Sequence, residues 1–215
     1  LNKSSYIANN IQDAVMQYVN YSDRGYLYYD LPLSDNNHNK TILYWEKACN
    51  IYEKGNAEAK YINYLRKKTQ LSLLEGDSEK AVHAAERGLE EIDISPYAYQ
   101  QTFFKWWFYH ALAEAYLLCY KNENAEAIEK SLERANFYSD LLTSNKRFYY
   151  LQLKSVYMYY LKRYDNAIEL NNEAIKLVES SNYKLKKASI KKQLSENEFI
   201  LKSILREPQH NLYSQ

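Results

Sequence analysis

Small side chains recur in this chain at two fixed intervals: Thr69, Ala81 and Gly88 in one stretch, and Ser155, Ala167 and Ala174 in another. In both, the steps are twelve and then seven residues. A small residue midway along one helix, followed by two more a heptad apart on the next, lets antiparallel helices and the following pair approach closely. Such a chain stacks helical hairpins and presents an extended concave surface, which suits binding more than catalysis.

Composition agrees. Four Gly and three Pro in 215 residues leave few obligate turns, and stretches rich in Ala, Leu, Lys and Glu favour helix. The expected fold class is therefore all-α, an α-α superhelix of about eight or nine helices in antiparallel hairpins, making one domain over 1–215. The periodicity predicts an irregular first hairpin over 1–56, hairpins over 57–93, 96–141 and 144–180, and a capping helix over 183–206. Close crossings are expected at Ala81, Gly88, Ala113, Ala167 and Ala174. The stretch 21–39 holds Gly25, Pro32 and the polar run Ser34 to Asn37 among Tyr26, Leu27, Tyr28, Tyr29, Leu31 and Leu33. It reads as a long ordered loop, too apolar for a free linker and pinned to the body by its aromatics.

The segments 61–92 and 148–179 resemble the tetratricopeptide family. Gly76-Asp77 precedes Ala81 and Arg163-Tyr164-Asp165 precedes Ala167, as the family places a turn before the Ala that packs on the first helix. Leu65 and Leu151 stand where the family carries a large aromatic, and no Pro closes either repeat. The small residues Ala48, Gly88, Ala135 and Ala174 lie 40, 47 and 39 apart, beyond the family's usual repeat, so these are elongated, divergent copies. The resemblance implies a groove lined by the first helix of each pair. Matching the two clear copies places Asn63, Arg66 and Gln70 there, followed by Tyr149, Gln152, Val156 and Tyr159. On the central helix the stripe Trp107, His110, Glu114 and Leu117 is the polar-containing one, so Trp107, His110 and Glu114 join the candidate binding set.

No Gly-rich phosphate loop, metalloprotease His pair, nucleophile elbow or dinucleotide fingerprint occurs, so no catalytic residue and no cofactor is expected. His110 and Glu114, four apart, supply two ligands at most, and no metal site is expected. Cys49 and Cys119 read as buried thiols. Lys plus Arg at 28 against Asp plus Glu at 27 gives no basic excess for nucleic acid, and no apolar run is long enough to insert in a membrane. The lysines between Lys184 and Lys192 read as the solvated face of the capping helix. The chain begins at Leu1 without Met, which favours export over a cytoplasmic location, though a domain cut from a longer polypeptide fits equally. The 24 tyrosines suit half-buried walls and wet interfaces. The leading functional expectation is a peptide- or protein-binding scaffold, the sensor part of a bacterial signalling or regulatory protein. The alternative is a small-molecule or glycan-binding protein of the cell envelope.

Overall fold

A computed structural model of the protein describes residues 3–30, 35–56, 61–94, 98–142 and 146–180. The predicted capping helix over 183–206 and the start signal Ser95-Pro96 lie outside them. Among the described residues there are eight α-helices: α1 Lys3–Asp30, α2 Asp35–Ile51, α3 Tyr61–Leu74, α4 Ser78–Ile94, α5 Ala98–Leu118, α6 Ala125–Asp140, α7 Arg147–Tyr160 and α8 Tyr164–Ser180. A π-helical turn, Tyr52–Asn56, extends α2. The helices pack mostly as sequential antiparallel pairs, consistent with a helical repeat array. α3 and α7 each also touch α5, so these first helices lie side by side along one face. No helix among the described residues is long and apolar enough to cross a membrane.

The spacing of small residues marks the crossings as expected. Ala81, Ala113, Ala167 and Ala174 are wholly buried, and at Gly88 an added Cβ would strike the ring of Phe108. In the last pair the crossing is also hydrogen-bonded: Ser155 Oγ donates to the Ala167 carbonyl at 2.7 Å.

The two tight turns share one geometry. Gly76 takes φ +73°, with its N–H on the Leu73 carbonyl and the Asp77 N–H on that of Ser72. Lys162 takes φ 59°, with its N–H on Tyr159 and the Arg163 N–H on Met158. Both are Schellman closures, which satisfy the last carbonyls of one helix while reversing the chain. Asp77 then caps α4 by accepting from the Lys80 N–H at 3.1 Å.

The long loop over 21–39 is not formed. α1 runs unbroken to Asp30, and α2 starts at Asp35 and includes His38, which the sequence placed in a loop. Gly25 reads as a helix breaker, yet its role is steric: an added Cβ would fall inside the Trp45 indole. Glycine costs about 1 kcal/mol in a helix, and burying Trp45 completely offsets it. The indole N–H donates to the Ser22 carbonyl at 3.2 Å, and Tyr26 and Tyr29 pack on its ring. Tyr28 stacks on Tyr44 with an interplanar angle of 2°. The aromatics do pin this stretch to the body, as residues of a helix.

Buried clusters link the pairs in series, from Trp45, Cys49 and Leu71, through Leu65, Ile92, Phe104 and Phe108, to Ile128, Leu132 and Tyr157 and finally Phe148, Leu151 and Val178. Gly88→Ala and Ala167→Leu should each lower stability by roughly 1–3 kcal/mol through overpacking, the first in spite of alanine's better helix propensity. Urea midpoints equal to wild type for both would show that these crossings are not tight.

Candidate functional site

A cleft of about 240 Å³ opens on the face made by the first helices. Its walls come from α1 (Tyr26, Tyr29), α3 (Arg66, Gln70) and α5 (Phe103, Trp106, Trp107, His110, Glu114), with Lys146 and Tyr149 at the start of α7. The helical repeat explains the set. On α3, Arg66 and Gln70 are four apart; on α5, the cleft side runs Phe103, Trp106 and Trp107, His110, Glu114, which is one helical stripe. No described side chain of a second helix reaches the cleft.

Arg66 is held among aromatic faces, its Cζ 5.3 Å from the Tyr26 ring centroid, 5.7 Å from that of Trp107 and 5.8 Å from that of Phe103. Such cation–π contacts suit a desolvated guanidinium. Burial lowers its pKa to about 10, so it remains charged at neutral pH. It forms no ion pair with a described residue, and its buried Nε has no hydrogen-bond partner among them. Next to it Lys67 is buried beneath the same tyrosine, Nζ 3.2 Å from the Tyr26 centroid and 4.7 Å from that of Trp45. Burial first, and the adjacent Arg66 second, hold this amine well below the usual lysine range. Gln70 ties the two helices together, its amide oxygen accepting from Tyr26 Oη and Lys67 Nζ, each at 3.4 Å.

At the other end of the cleft, the His110 ring lies 5.9 Å from Trp106 and 5.6 Å from Tyr149. Burial drives its pKa down to about 4, against a hydrogen bond to the Tyr149 backbone, so the imidazole is neutral at physiological pH. Glu114 is pushed up to about 7 by burial. Lys146 Nζ sits 5.4 Å over the Trp106 ring. The indole N–H of Trp106 is buried without an acceptor among the described residues.

Six of the ten groove residues expected from sequence meet in this cleft: Arg66, Gln70, Trp107, His110, Glu114 and Tyr149. Four do not line it. Asn63 is half-buried on α3 outside it, and Gln152 is half-buried on α7 outside it. Val156 packs on the core around Ile128 and Tyr157, and Tyr159 is exposed against Tyr160 and Tyr164. The cleft is set at the α1–α3–α5 junction and meets only the first turn of α7, so positions farther along α7 pass beyond it. Leu117, which continues the α5 stripe in sequence, turns into the core. Phe103, Trp106, Tyr26 and Tyr29 were missed. The first two sit four residues before Trp107 and His110 and share their face; the tyrosines were hidden by the loop reading of 21–39.

Comparison with protein-family models, with curated proteins and with solved structures found no match to this chain.

His110 and Glu114 on α5 act oppositely on stability. A raised Glu114 stabilises the fold fully below its ordinary pKa, and that contribution is lost as pH rises through about 7. A lowered His110 adds stability as pH rises from about 4 towards its ordinary value. Glu114→Gln removes only the first. The stability advantage of this variant over wild type should grow on the order of 2 kcal/mol between acid and mildly alkaline conditions. Denaturant midpoints that differ by the same amount at both ends of the range would contradict the placement of Glu114.

Proposed function

We propose that this domain is a peptide- or protein-binding module and that the cleft receives an anchor group of the partner. The observation that supports it most is that the cleft wall is drawn from successive first helices and combines the rings of Tyr26, Tyr29, Phe103, Trp106, Trp107 and Tyr149 with polar groups between them. Aromatic side chains and arginine carry much of the affinity at protein interfaces, since they bury large areas at small entropic cost. The likeness of 61–92 and 148–179 to tetratricopeptide repeats supports the same reading, because that architecture uses the inner face of its first helices for recognition. We place the module in a signalling or regulatory protein, where it senses the partner.

A second reading, capture of a small molecule or glycan, is favoured by the size of the cleft. A volume near 240 Å³ fits one ring or one side chain and little more. In the first reading it holds the anchor while the rest of the peptide lies along the helices outside.

The test is selection from a random peptide library on wild type, followed by affinity measurements on folded variants. Trp107→Ala and Tyr149→Ala should each weaken the selected peptides about tenfold or more, while Tyr159→Ala, outside the cleft, leaves them unchanged. Undiminished binding by both cleft variants, or no peptide selected against a sugar or small-molecule hit, would overturn the peptide reading.

A further inference from the structure

We propose that the group this cleft takes is aromatic and anionic together: a planar ring seated between the aromatic walls with a carboxylate a few bonds away against Arg66. The inference rests on the cleft being the binding site and specifies its ligand chemistry.

What Arg66 lacks is a carboxylate partner. Arg66 is charged and walled by three rings, with no carboxylate among the described residues to neutralise it. Trp106 lines the same cleft and holds a second buried donor with no acceptor. Unmet buried donors are costly, and an unpaired buried charge more so. An anion against Arg66 supplies the acceptor that its guanidinium lacks, and charge-assisted hydrogen bonds to guanidinium are among the stronger ones. Lys146 at the rim adds positive charge on the same side of the balance.

The single carboxyl lining the cleft does not fill this role. Glu114 is displaced by burial and forms no ion pair with Arg66. Where it is protonated it neither pairs with Arg66 nor repels an incoming anion. The charged and titratable groups sharing the cleft with Glu114 are Tyr26 and Tyr29 from α1, Arg66 from α3, His110 from α5, and Lys146 and Tyr149 from the start of α7. His110 remains neutral above its lowered value and Arg66 remains charged.

The probes are phenylpropionate and its uncharged amide, phenylpropionamide, titrated into the protein while the indole N–H signals of the three tryptophans are followed by NMR. The acid should bind about tenfold more tightly than the amide and move the Trp106 and Trp107 signals while leaving Trp45 in place. In Arg66→Met the acid and amide should bind alike. The acid-to-amide ratio on wild type decides the matter even if a variant does not fold. Two further probes separate the sources of the carboxylate: N-acetylphenylalanine presents a chain terminus, and N-acetylphenylalanyl-glutamic acid α-amide presents an acidic side chain. Whichever acid binds best names the source. Equal affinities for acid and amide, or no perturbation by any of the acids, would overturn the inference. Library peptides bound through Trp107 and Tyr149 without acid preference would leave the peptide-binding reading standing, so the two can fail separately.

Discussion

Close helix contacts in this chain depend on the absence of side chains. Trp45 is accommodated because Gly25 has no Cβ, and Phe108 because Gly88 has none; elsewhere an alanine stands against its neighbour, wholly buried. Helix axes brought this near leave little room for adjustment, since protein interiors pack at crystal-like density. The first helices are consequently fixed side by side, and the residues on their shared face converge. The cleft is a consequence of those crossings, and its shape is set by groups that never touch it.

Charge burial in the same region follows a different logic. Arg66 and Lys67 are adjacent on α3, and both are enclosed by aromatic faces. Ring quadrupoles return part of the lost hydration, but cation–π contacts are weak compared with the desolvation of two neighbouring cations. A pair of apolar side chains would stabilise this junction more. Of the two, Arg66 lines the cleft, and the proposed ligand would offset part of its cost there.

The sequence made the turns and crossings legible because each depends on a single residue type at a fixed offset. Gly76 before Asp77 and the Ser155, Ala167, Ala174 series state their geometry directly. Gly25 was opaque for a physical reason: glycine in a helix marks either a break or a close approach, and only knowledge of Trp45, twenty residues on, tells them apart. With that helix lost, Tyr26 and Tyr29 could not be placed on the cleft. On α5 the polar His110 and Glu114 marked a direction on an almost continuous apolar surface, and they line the cleft with Trp107 while Leu117 lies in the core. The positions farther along α7 failed because equal register in two repeats does not place them at equal distance from one cleft.

On the proposed reading, a partner is held on the joint face of α1, α3, α5 and the start of α7. Amide hydrogen exchange, measured by mass spectrometry with and without a bound peptide, tests it most directly because these segments are remote in sequence. The account predicts slowed exchange in all of 26–30, 66–74, 103–114 and 146–149 together, with α4, α6 and α8 little changed. Slowing confined to the second helices, or to the exposed tyrosines around Tyr159, would contradict it.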